Sequence, residues 1–170
     1  MDNQFDIKQA QIVLENSIDA IVSANEQGEI VYLNPAAEKM FGLTRQQSKG
    51  KPLTILMPEK YRIGHLHGMQ RYHDTHVPKV IGKVTELEGV HLQGNSFPME
   101  MSLSAWQDET GRPFFTAIIR DISERKRSAL ELDKKIAELQ KMNEFLIDRE
   151  IKMVALKKQI NELENKHSQS

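Results

Sequence analysis

The stretch from Met57 to Asp74, MPEKYRIGHLHGMQRYHD, holds the residues with most chemical capacity in the chain. Histidines at 65, 67 and 73, with His76 just beyond, can ligate a metal, move a proton or serve as hydrogen-bonded core groups. At helical spacing, the positions four before, four after and seven after His65 are Tyr61, Met69 and Tyr72. His65 therefore falls on an apolar face. His67 shares its side with Ile63, Arg71 and Asp74 and is expected to meet solvent or a carboxylate. His73 and His76 flank Asp74 near the helix end, where an imidazolium suits the C-terminal dipole. A zinc site there lacks enough further ligands. Gly64 and Gly68 sit one before and three after His65, and each costs a helix roughly 1 kcal/mol relative to alanine. Their bareness would let a flat macrocycle come close, or ease packing against a sheet. A neutral imidazole on an apolar wall is one way to hold haem iron. It is equally the description of a hydrogen-bonded core histidine.

The rest of the composition excludes more than it offers. There are no cysteines among the 170 residues, which removes disulfides, thiolate metal sites, cysteine nucleophiles and cysteine-linked chromophores. Twenty-three basic and 24 acidic residues leave a net charge of −1, without a field to draw nucleic acid or an anionic membrane. The absence of a long apolar run and of a basic-then-apolar leader points to a cytoplasmic protein without a membrane segment. No phosphate-binding loop, nucleophile elbow or dinucleotide fingerprint is present, so the chain reads as a non-enzyme.

The elements that must position His65 follow from periodicity and capping. Residues 1–16 read as a short amphipathic helix carrying Phe5, Ile7, Ile12, Val13 and Leu14. Ala20 to Ala24 and Ile30 to Leu33 read as a hairpin closed at Gly28. Asn34-Pro35 is an N-cap followed by a first-turn proline, and Gly42 is a left-handed stop for the helix from Pro35 to Phe41. Thr44 with Gln47 forms a capping box. Beyond the histidine helix, Val77 to His91 holds a broken strand. From Asn95 to Trp106, Phe97, Met99, Met101, Leu103 and Ala105 alternate with polar residues, and Pro113 to Arg120 completes a meander. The fold class is α+β, one antiparallel sheet with helices on one face, over residues 17–121. The wall facing the histidine helix would be Val80, Ile81, Met101, Leu103, Phe115, Ala117 and Ile119. Trp106 falls on the outward side of its strand, positioned to pack on the N-terminal helix or on a partner subunit.

Residues 122–167 read as one long helix without Gly or Pro. Leu132, Leu139, Leu146, Met153 and Ile160 recur every seventh position, with Ile136, Asn143, Leu156 and Leu163 as partners. The partner spacing changes from four to three between Phe145 and Val154, as at a stutter. This pattern predicts a parallel two-stranded coiled coil, hence a homodimer, with Asn143 fixing register.

Several of these residues also form motifs that resemble the PAS sensor family over about residues 8 to 125. They are Asn34-Pro35-Ala36-Ala37-Glu38, Phe41-Gly42, Met57-Pro58, Phe97-Pro98 and the closing Arg120-Asp121-Ile122-Ser123-Glu124-Arg125. The resemblance implies a five-stranded antiparallel sheet enclosing a ligand pocket, with the signal leaving through the C-terminal helix into a dimer. Within that family the chain is similar to the haem-binding oxygen sensors of the FixL and Dos type. Tyr61-Arg62-Ile63-Gly64-His65, Gln70-Arg71-Tyr72 and Ile81-Gly82 carry the likeness. It implies haem b as cofactor with His65 as the proximal iron ligand. Thr85 stands where those sensors place an arginine against bound oxygen, and Lys83 where one subgroup has a methionine ligand. Loss of the arginine's charge implies a preference for CO or NO over O₂, or a redox or haem sensor. Noncovalent FAD, or an empty core in a dimerisation module, are the alternatives. The segment from Lys141 to Leu163 looks like a linker to a kinase, cyclase or receptor partner.

Overall fold

A computed structural model describes residues 2–75, 77 and 80–167; His76 and the side chain of Leu163 lie outside what it describes. The element order is helix α1 (Asp2–Asn16), strands β1 (Ala20–Asn25) and β2 (Ile30–Leu33), and helices α2 (Pro35–Phe41) and α3 (Arg45–Ser48). A 3-10 turn (Leu53–Leu56), helix α4 (Glu59–Thr75), strands β3 (Val84–Val90), β4 (Ser96–Gln107) and β5 (Pro113–Asp121), and helix α5 (Ser123–His167) follow. All five strands form one sheet in the order β2-β1-β5-β4-β3, with every pair antiparallel. This is the α+β architecture that the alternation of strands and short helices predicts.

Local chemistry sets the joints. Asn34 caps α2 through its side-chain oxygen, Pro35 fills the first turn, and Gly42 ends the helix in the left-handed region at φ 70°. Thr44 and Gln47 close a reciprocal capping box on α3. The segment after Gly50, which has no periodic signal, winds into the 3-10 turn and buries Leu56.

The core lies between the sheet and α2. Ala20, Leu33, Ala37 and Phe41 are wholly buried, with Val22, Ile30 and Ile119 almost so. They meet because the ladder aligns Ala20 with Ile119 and Val22 with Ala117. Asn34 is buried as well, and all of its polar capacity is used. Its oxygen accepts from the Ala37 and Ile21 amides, while its nitrogen donates to the Leu14 and Asp19 carbonyls. One side chain thus ties α1, β1 and α2 together.

The N-terminal helix forms as expected, but its expected amphipathic face does not: Phe5, Ile7, Ile12 and Val13 are 59–69% exposed. Their spacing spreads them around the cylinder, so no single stripe can be buried against one neighbour. From Glu124 onward α5 is a compact unit of its own. Its 45 residues span roughly 67 Å at 1.5 Å per residue. Leu132, Leu139, Leu146, Met153 and Ile160 are each at least 43% exposed. Among the described residues, no helix is long and apolar enough to cross a membrane.

Candidate functional site

Helix α4 begins immediately after Pro58, whose carbonyl accepts from the Tyr61 amide. It runs 17 residues, and none is fully buried. His65 is its most chemically distinctive member. Its Nδ1 is enclosed and is the only such side-chain nitrogen or oxygen among the described residues without a hydrogen-bond partner. Burial pushes the imidazole pKa below its ordinary value, so the ring is held neutral with a lone pair to offer. A satisfied core histidine would use both nitrogens; this one does not.

The glycines beside it are equally telling. A methyl group built on Gly64 or on Gly68 would meet nothing within 4 Å. Close packing against the sheet therefore does not explain them. Contacts to neighbouring elements are spread along α4. At its start Lys60 reaches Glu88 of β3 at 2.7 Å, with both side chains well exposed. In its middle the Met69 thioether lies over Gly28, and near its end Tyr72 meets Phe115 edge-on, centroids 5.4 Å apart.

Opposite α4, the inner face of the sheet runs in rows. Thr85, Met101 and Ile119 are neighbours along one; Leu103, Ala117 and Val22 along the next; Ala105, Phe115 and Ala24 along a third. Burial is complete on the β1 side and only partial at Thr85, Met101, Leu103, Ala105 and Phe115. A cleft of about 500 Å³ opens where Met69 and Tyr72 face Ala105 and Phe115, with Glu26, His73 and Trp106 at its edge.

The expected wall is thus assembled in part. Met69, Tyr72 and Phe115 come together around the cleft. Ala117 belongs to the core cluster, with Met101 and Leu103 packed against it, and Thr85 lies half-buried beside Met101. Three expected wall residues are not among those lining the cleft. Tyr61 is 39% exposed and sits under the Lys60 ammonium, 4.9 Å from its ring centre. Four residues do not complete a whole number of turns, so the step from His65 back to Tyr61 rotates it toward solvent. Val80 and Ile81 belong to a turn before β3, which the Lys83 amide closes on the Val80 carbonyl and Gly82 permits at φ +77°. His67 and His73 are exposed as expected, and His73 pairs with Asp74 at 3.3 Å.

Trp106 keeps to the outward face. It stacks on Phe114 at 4.9 Å and donates from Nε1 to Thr116 Oγ1, so its partners come from its own sheet. His91 is a residue that sequence reasoning missed. It packs its ring against Gly42 so closely that a methyl there would fall 2.1 Å from Nε2. Gly42 is therefore required twice, for its backbone and for its bareness. Only the first requirement leaves a sequence signal. The ion pairs Arg45–Glu15 and Arg120–Asp19 join residues 30 and 101 positions apart and leave none.

Comparison with known proteins places this geometry in a family. The family description "PAS fold" matches residues 9–122. The chain is 32% identical over 127 residues to the sensor protein FixL of Bradyrhizobium diazoefficiens, covering 75% of this chain and 25% of that protein. It is 29% identical over 110 residues to the oxygen sensor protein DosP of Escherichia coli, covering 65% of this chain and 14% of that one. Among solved structures, the PAS domain of a Colwellia psychrerythraea protein superposes with a TM-score of 0.58 at 20% identity, over 70% of this chain and 98% of that one. The chain spans a quarter or less of the length of the curated relatives it matches.

Proposed function

The chain belongs to the PAS family, and on that premise we propose that it is a sensory module that holds haem b between α4 and the sheet. His65 is the protein ligand to the iron in this reading. The observation that carries it is the state of that side chain: held neutral, with Nδ1 enclosed and unpartnered among the described residues. Such a ring has an unused lone pair. The open space at Gly64 and Gly68 and the half-covered apolar rows of β4 and β5 suit a flat apolar ring system. Bound haem supplies an iron centre that takes a diatomic gas or an electron.

The chain's own residues then set selectivity. Thr85 stands half-buried on the inner face beside Met101. A threonine hydroxyl is a neutral donor, worth roughly half a charge-assisted one. It stabilises a polar, partly anionic bound oxygen less than a guanidinium would. CO and NO, which need no such donor, are therefore favoured over O₂. Met69, Tyr72 and Phe115 offer apolar surface on one side of the site.

Output runs through α5. Its heptad residues from Leu132 to Ile160 are exposed, and pairing with a second copy would cover them. We propose a parallel coiled-coil homodimer over residues 122–167, following a sensor domain at 17–121 and a leading helix at 1–16. A kinase, cyclase or receptor is its downstream partner.

Adding haem to the purified protein tests the reading. A Soret band that disappears in His65→Ala supports it. A band that survives the substitution, flavin absorption instead, or tyrosine and tryptophan absorption alone overturns it.

A further inference from the structure

We infer that α5 carries a second, self-complementary interaction surface, at which another copy of the chain docks antiparallel and crosses at Ile151. This surface is separate from the coiled-coil seam proposed above, and its existence does not depend on that seam.

The surface is built from Ile147, Ile151 and Val154, which are 48–68% exposed. At about 100° per residue these three fall within roughly 60° of one another on the helix. Leu146, Met153, Leu156 and Ile160 cluster on the far side, roughly 140° around the same turns. A partner seated on that seam leaves Ile147, Ile151 and Val154 in water. Helix propensity does not account for them. β-branched residues lose side-chain freedom in a helix, and Lys, Glu or Gln would suit a solvated face better. The helix therefore presents two apolar faces over the same turns, and a single parallel partner covers only one.

The charges at the ends of this stripe name its occupant. Glu144 stands three residues before Ile147 and Lys158 four after Val154, so both continue the stripe, and both are exposed. The series Glu144, Ile147, Ile151, Val154, Lys158 has the alternating three-four spacing of a helix-pairing seam. In a parallel pairing Glu144 would face its own copy, and so would Lys158. Reversing one helix about Ile151 brings Glu144 to Lys158 at both ends, because each lies seven residues from the centre. Ile151 then meets its own copy, and Ile147 falls beside Val154. The contact is isologous, the same patch being used by both chains. Opposite charges at both ends favour this direction, and like charges at both ends oppose the other. Where the seam already pairs two chains in parallel, the stripe joins one pair to another.

Sedimentation equilibrium of the full chain over the micromolar range tests this, with Ile151→Lys as the first variant. The expected result is an about twofold lower mass for the variant, four chains falling to two, with the helical circular dichroism unchanged. Equal masses overturn the inference. Glu144→Lys and Lys158→Glu should each give the same loss, since each puts like charges at both ends of the antiparallel pair. They also carry the decision should Ile151→Lys lower the helix signal. Mixing these two variants, or combining both changes in one chain, should restore the wild-type mass. Single changes without effect, or a double variant that stays dissociated, overturn the antiparallel docking. A fall from two chains to one upholds the docking and fails the coiled-coil seam instead. A mass of two chains in both wild type and Ile151→Lys upholds the seam and fails the docking alone.

Discussion

Helices α2 and α4 lie on the same side of the sheet, yet the seven-residue α2 buries Ala37 and Phe41 completely while the 17-residue α4 buries nothing fully. Length alone would predict the reverse, since a longer helix has more apolar surface to hide. The difference lies in what each helix faces. α2 meets the small and branched residues Ala20, Val22, Ile30 and Leu33, and the Asn34 network fixes its start. The contacts of α4 include a surface ion pair, a thioether over a glycine and an aromatic edge. In this domain α2 completes the core, while α4 keeps every residue at least partly exposed and is the element that the proposed function uses.

That division is open to direct attack. Phe41→Ala should cost about 3–5 kcal/mol, measured by denaturant unfolding, because a wholly buried ring leaves a cavity. The corresponding truncation in α4, Leu66→Ala, should stay within about 0.5 kcal/mol, since Leu66 is 55% exposed. Equal losses would abolish the contrast. Next, Asn34→Ala should cost roughly 2–3 kcal/mol, a lost cap plus a buried Ile21 amide without its acceptor.

His65→Leu should act in the opposite sense in the haem-free protein. It removes a buried unpartnered nitrogen and should stabilise by about 1 kcal/mol. The same residue gives a pH signature. Burial lowers its folded pKa, so the stability it permits is complete above the unfolded value near 6.5 and is lost as pH falls through the folded one. Thermal midpoints of the haem-free chain should therefore decline from pH 7 toward 5, and His65→Leu should decline less. A parallel decline in both proteins would assign the effect to other groups.

The smallest effects should come from the glycines of α4. Gly64→Ala and Gly68→Ala each have open space at Cβ and should raise stability by about 0.5–1 kcal/mol. In the haem reading the same changes lower the affinity for haem. Gains in both properties together would show that the bareness serves nothing bound.

The two helices also differ in how far their roles can be read in advance from residues. Asn34-Pro35 and Gly42 announce the start and stop of α2, because caps are local and their geometry belongs to single residue types. The inward alternation from Phe97 to Ala105 is local too, and the ladder to β5 preserves it. The inward setting of His65 follows from spacing. The exposure of Tyr61 does not, because the same spacing that places it near His65 leaves its direction to the drift of 3.6 residues per turn. Val80 and Ile81 look like strand and form a turn, since β-branched residues mark a pleated surface only where a partner strand exists. The partnerless Nδ1 is a property of everything around it, and no single position encodes it.

Trp106 has a practical consequence. It is the one tryptophan in the chain, and the stacking on Phe114 and the bond to Thr116 fix its indole to the sheet. The sheet that carries it also forms the inner wall of the site. A light-absorbing group settling against that wall would drain the indole's excited state. The native protein is thus its own fluorescent indicator, with no label to attach and no second tryptophan to blur the signal.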